Sequence, residues 1–230
     1  VCSSDLADNT WGGTYTAWTS TRSQSPQIPQ GYGPCTIRIT KSDAVIMGNL
    51  ADGTPYSTSS SVGRRPPYPD EGGFSSVDSA MLSIHLPMQG AKGMLIAFIP
   101  MDQIDSPEST IVRTRGKMIW QKAPTPTDKF YPNGFRTRYY YFGARYKDSG
   151  AGKPVLTPTN GVMTLSSGNL PANITNSVTI GRTALTISTN DPAVAAMKPK
   201  ALITPATGAV TGEFKNPGTG KTSKIVGNTV

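Results

Sequence analysis

One histidine, fourteen carboxylates and two cysteines bound the reactions that this 230-residue chain can support. His85 lies in Leu82-Ser83-Ile84-His85-Leu86, where Leu82, Ile84 and Leu86 share one face and His85 takes the other, toward solvent. A zinc site needs several His or Cys ligands, which one histidine and two distant cysteines do not supply. No Gly-x-Ser-x-Gly is present to propose a serine nucleophile beside it. Asp102, Asp105 and Glu108 cluster in 101–110, which reads as a solvated acidic loop. Oxygen ligands of this kind suit calcium, but the spacing is not that of an EF-hand. No motif proposes the paired carboxylates of a glycosidase. The expectation is therefore no catalytic residue, no metal and no cofactor.

Asn216-Pro217-Gly218-Thr219-Gly220-Lys221-Thr222 resembles the end of a phosphate-binding loop. The first glycine of that pattern is replaced by Lys215, and Ser223 to Val230 reads as a strand where a helix is required. The run from Leu95 to Asp102 could stand in for the second nucleotide-binding strand, but Pro100 interrupts it. A polar β-turn accounts for 216–222 without a ligand.

The strongest binding chemistry is aromatic and basic. Arg136, Arg138, Tyr139, Tyr140, Tyr141, Phe142, Arg145 and Tyr146 fall within eleven residues. On a strand, Tyr140 and Phe142 face opposite to Tyr139 and Tyr141, so one pair points outward unless another layer covers it. Exposed rings beside arginines can stack on sugars or bases. The candidate ligand-binding residues are Trp120, Tyr131, Arg138, Tyr139, Tyr141 and Arg145. The competing reading packs the outward pair beneath 123–135, which brings its own Phe130, Tyr131 and Phe135. The segment does not match the RNA-binding aromatic pattern, and no nucleic-acid partner is expected.

The elements that must position these residues read as strands. The chain holds 24 glycines and 20 prolines along its whole length, which suit turns and oppose helices. Hydrophobic residues are 36% and charged residues 16%, with net charge +8, so no surface is densely basic. Cys35, Ile37 and Ile39 alternate with Thr36, Arg38 and Thr40. Further strands are read at Leu82–Leu86, Gly93–Ile99, Lys117–Gln121, Arg138–Tyr146, Val178–Ile180 and Leu185–Ile187. At most a short helical turn is expected, at Ala193–Met197. A unit recurs. Ile39-Thr40, Ile46-x-Gly48-x-Leu50 and Asp52-Gly53-Thr54 correspond to Ile203-Thr204, Val210-x-Gly212-x-Phe214 and Pro217-Gly218-Thr219. A glycine in mid-strand marks a bulge or close backbone approach in a curling sheet. The expected fold is all-β: an antiparallel meander forming a β-barrel or strongly curled sandwich, with almost no helix. The longest apolar stretch, Gly93 to Met101, is too short to span a membrane as a helix, and no membrane insertion is expected.

The order of several short motifs resembles a family. Ile28-Pro29-Gln30-Gly31-Tyr32-Gly33, Leu50-Ala51-Asp52-Gly53-Thr54, Trp120-x-Lys122-Ala123 and Tyr131-Pro132-x-Gly134-Phe135 open the series. Gly143-Ala144-Arg145-Tyr146, Ser167-Gly168-Asn169-Leu170, Pro205-Ala206-Thr207-Gly208 and 214–221 complete it. Together they are similar to an uncharacterised β-rich domain of large secreted and cell-surface multidomain proteins of environmental bacteria. That resemblance implies a barrel-like or sandwich module, extracellular or on the cell surface, with other domains of the same polypeptide as partners. It carries over no catalytic residue. It also implies a chain truncated at its C-terminal end, with an edge strand near Ile225 to Val230. Val1 to Leu6 matches a translated sequencing adapter, as on a metagenomic fragment, leaving 7–230 as a single β domain with Cys35 as its one native cysteine. The expected function is a non-catalytic structural or adhesive module. The alternative is a carbohydrate-binding module using the aromatics of 120–146, with a polysaccharide or cell-surface glycan as partner.

Overall fold

A computed structural model of the chain describes residues 11–64, 79–90, 92–106, 109–165, 170 and 172–229. The chain divides into two compact units, one running to Tyr146 and one spanning Lys147–Thr229. Both are antiparallel β-sheets.

The first unit is a closed eight-stranded barrel in meander order. Its strands are β1 (Gly13–Ser20), β2 (Gly33–Thr40), β3 (Asp43–Asn49), β4 (Pro55–Arg64), β5 (Ser79–Met88), β6 (Gly93–Ser106), β7 (Ser109–Lys122) and β8 (Phe135–Tyr146). β1 closes the ring on β8, with Trp18 opposite Phe142 and Thr14 opposite Tyr146. Alternation along each strand sends one set of side chains into the bore. Large and small residues take turns there: Tyr15 and Ala17, Ala44 and Ile46, Ala80 and Leu82, and Ala97 between Leu95 and Ile99. A bore of eight strands is just wide enough to be filled in this way. Each fully buried aliphatic side chain contributes about 1.5–3 kcal/mol of transfer free energy.

β6 continues through Pro100 to Ser106, although the proline suggested an interruption. Its pairing with β5 is unbroken, whereas its ladder with β7 skips Ile99 and Pro100. Pro100 has no N–H to give a neighbour, so the sheet accommodates it by loosening one side only. Asp102 and Asp105 consequently lie on a long hairpin strand and not in a loop. Glu108 is outside the described residues, as is most of the Pro-rich segment 64–69.

The second unit is a curled six-stranded sheet in the order β14-β13-β12-β11-β10-β9. Its strands are β9 (Asn160–Leu165), β10 (Ile174–Ile180), β11 (Ala184–Ile187), β12 (Lys200–Thr204), β13 (Ala209–Lys215) and β14 (Thr222–Asn228). A six-residue helix, α1 (Pro192–Met197), joins β11 to β12. The Asp191 carboxylate accepts from the Ala193 N–H and caps it, and Pro192 suits its first turn. Val178, Ile187 and Ala201 form a small core with Met163, Ile180, Leu185 and Val210 against it.

The recurring unit is real in three dimensions, with one shift. Gly48 stands opposite Cys35, and Gly212 opposite Ala201. A Cβ on Gly48 would lie 2.6 Å from the Pro34 carbonyl, and one on Gly212 would meet the Lys200 carbonyl. Matching the glycines makes Ile37, and not Ile39, the counterpart of Ile203, because the first hairpin is longer before its turn.

Candidate functional site

Three of the six candidate residues are in the bore. Trp120 is 2% exposed, and Tyr139 and Tyr141 are fully buried. Their burial removes them from any outer binding face. The outward pair is Tyr140 and Phe142, both half-buried on the outer wall. The ring contacts of that pair are with Trp18 and Arg22, whereas Tyr131 of the 123–134 segment packs on Phe135 and stoppers the end of the bore.

The stopper has an aromatic and an ionic layer. Tyr139 stands 5.7 Å from Trp120, Trp120 packs edge-to-face on Phe135 at 4.7 Å, and Phe135 packs edge-to-face on Tyr131 at 5.4 Å. The Tyr139 hydroxyl donates to the Pro29 carbonyl at 2.7 Å and so ties in the loop after β1. Above the rings, Lys122 at the end of β7 binds Asp52 at 2.9 Å and Asp128 at 2.8 Å. Asp128 also accepts from the N–H groups of Phe130 and Tyr131. Burial disfavours the Lys122 charge, but hydrogen bonds to Asp128 and Asp52 outweigh it and raise its pKa. The hydrogen bond from Lys122, then those from the Tyr131 and Phe130 backbone, lower the Asp128 pKa to about 2.

Deeper in the bore, the Tyr141 hydroxyl and the Cys35 Sγ lie 2.7 Å apart. Burial raises the Cys35 pKa to about 11, against opposing hydrogen bonds from Tyr141 and Tyr56. Such a thiol stays protonated at neutral pH and is a poor nucleophile. Burial likewise raises Tyr56 and Tyr141.

The remaining candidates lie apart. Arg145 is at the far end of the barrel, where its guanidinium donates to the Tyr15 hydroxyl, which donates to the Trp11 carbonyl at 2.8 Å. Arg138 is exposed on the outer wall of β8. His85 is exposed, as its alternation indicated. Among the described residues, no group of three or more His, Cys, Asp or Glu is placed to hold a metal ion. The 216–222 segment is the β13–β14 turn: the Asn216 carbonyl side chain accepts from the Gly218 and Thr219 N–H groups. Antiparallel strands flank it, so it lacks the helix a phosphate loop requires.

The outer wall carries residues that the sequence reading passed over. Arg115 and Lys117 on β7 are exposed and outward, beside Phe98 on β6, which is 56% exposed. Trp18 leans on Phe142 at 6.0 Å, and Arg22 sits 4.4 Å over the Tyr140 ring. The available signal was parity: Arg115 and Lys117, like Arg136 and Arg138, are spaced by two and share a sheet face.

No protein-family model matches the chain, and no curated protein or solved structure matches it.

Proposed function

We propose that the chain is a non-catalytic structural or adhesive module of an exported bacterial surface protein. The carrying observation is the filled and stoppered bore. The side chains best suited to chemistry or stacking, namely Cys35, Trp120, Lys122, Tyr139 and Tyr141, are spent on packing and on tying three loops over the barrel end. That use favours a rigid scaffold working through its outer surface. The extracellular setting rests on the order of short motifs described above, and the upstream reading frame tests it: a complete gene without any export signal would overturn it.

Adhesion has its own test. Beads coated with the chain should be retained on immobilised bacterial cell-wall glycan more strongly than beads coated with an unrelated β-barrel of equal charge. Equal retention would count against the adhesive reading. Turnover of generic ester, glycoside or phosphate substrates, lost on unfolding, would overturn the non-catalytic one.

A further inference from the structure

We propose that the outer wall of β7 and β8 is a docking face for an acidic polysaccharide. This rests on the adhesive reading and names what the module adheres to. Register places four cations in one band. Arg115 is level with Phe142, Lys117 with Tyr140, Ile119 with Arg138 and Gln121 with Arg136. Arg115, Lys117, Arg138 and Arg136 therefore occupy four successive outward levels, crossing from β7 to β8 midway. At about 3.4 Å of rise per residue, the levels are about 7 Å apart and the band is about 20 Å long. All four side chains are exposed, and none forms an ion pair with a described carboxylate.

The surround is equally one-sided. The outward residues on β5, β6 and β1 that pair into these levels include no Asp or Glu. The first outward carboxylate along β6 is Asp102, beyond the end of the band. A band of cations with no anion beside it among the described residues is complementary to a polyanion, and it repels itself until one is bound. Arginine at three of the four levels, both ends and one inner level, suits planar carboxylates in particular. Phe98, opposite Lys117, offers an apolar ring face beside the band to the C–H side of a sugar.

The rings argue for a polysaccharide over a single-stranded nucleic acid. Stacking of successive bases needs successive open ring faces. Here Arg22 covers Tyr140, and Phe142 and Trp18 are half-buried against each other. Phe98 alone stands clear.

The test is equilibrium binding of the full chain at low salt to polygalacturonate, neutral dextran and an oligo(dT). Polygalacturonate should bind, dextran should not, and oligo(dT) should bind more weakly. Two variants remove equal charge: R115Q/K117Q/R136Q/R138Q on the wall, and K200Q/K215Q/K221Q/K224Q on the second unit. All eight residues are exposed, and thermal unfolding checks that both variants remain folded. Each exposed ion pair is worth about two- to fivefold in affinity, so the wall variant should lose at least about tenfold and the other less than about threefold. Equal losses would mean net charge alone and overturn the proposal. Tighter binding to oligo(dT) would assign the face to nucleic acid. No binding to polygalacturonate, with bead adhesion intact, would overturn this inference and leave the adhesive reading standing.

Discussion

The Cys35 thiol and the hydroxyls of Tyr141 and Tyr56 form a polar island in an apolar bore. Removing one hydroxyl by Tyr141→Phe should cost about 1 kcal/mol, since the lost hydrogen bond is modest and the cavity small. Its thermal midpoint should fall by about 2–4 °C in a chain of this size. The island also sets an alkaline limit. Folded Cys35 keeps its proton up to about 11, whereas the unfolded thiol releases it near 9.0. The contribution of Cys35 is thus complete below pH 9 and is lost as pH rises toward 11. Buried Tyr56 and Tyr141, whose values are also raised, extend the loss further up. Urea midpoints across that window should fall, and less steeply in Cys35→Ala. Asp128 acts in the opposite range. Its folded pKa, about 2, lies below the ordinary 3.8, so its contribution is present above about pH 4 and is lost on descent toward 2. Lys122→Met should flatten that acid limb; an unchanged limb would show that the ion pairs do not govern it.

At the scale of elements, the inward glycines let neighbouring strands approach. Gly48→Val would press its side chain onto the Pro34 carbonyl and the Cys35 side chain. Overpacking of this kind costs about 1–3 kcal/mol, measurable by urea unfolding. Gly63→Ala in β4, with only a 3.8 Å contact, serves as the contrasting site and should cost far less. The β4–β5 seam differs from the other staves. Among the described residues, β4 pairs with β3 over seven positions but with β5 over Val62–Arg64 only, and the Ser60 hydroxyl donates to the Ser83 carbonyl beyond them. Backbone amides of 84–88 that point at β4 should exchange with solvent sooner than those pointing at β6. Uniform protection along β5 would contradict this.

For the whole molecule, two cores should respond separately. Ile46 belongs to the barrel core, whereas Ile203 is buried in the second unit. Either residue changed to Ala should cost its own unit about 2–5 kcal/mol. All three tryptophans, Trp11, Trp18 and Trp120, lie in the first unit, so their fluorescence reports the barrel. Ile46→Ala should lower the fluorescence transition. Ile203→Ala should lower the circular-dichroism transition while leaving fluorescence in place. A common shift of both signals would mean that the two units unfold as one.

Alternation alone made the all-β class, the antiparallel meander, the exposure of His85 and the opposed faces of Tyr139/Tyr141 and Tyr140/Phe142 readable, because a period of two is a local property of the backbone. The turn at 216–222 and the glycine-bearing hairpins were readable from asparagine, proline and glycine, whose backbone preferences are also local. Parity says that two faces exist, but closure decides which one is the bore. Only the pairing of β1 with β8 put Trp120, Tyr139 and Tyr141 inside and left Tyr140, Phe142 and Arg138 outside. Cross-strand register aligned Arg115 and Lys117 with Arg138 and Arg136, and closure of the barrel brought Asp52, seventy residues away in the chain, to Lys122. Those contacts carry no local signature, since each depends on how many residues every intervening hairpin spends before it turns.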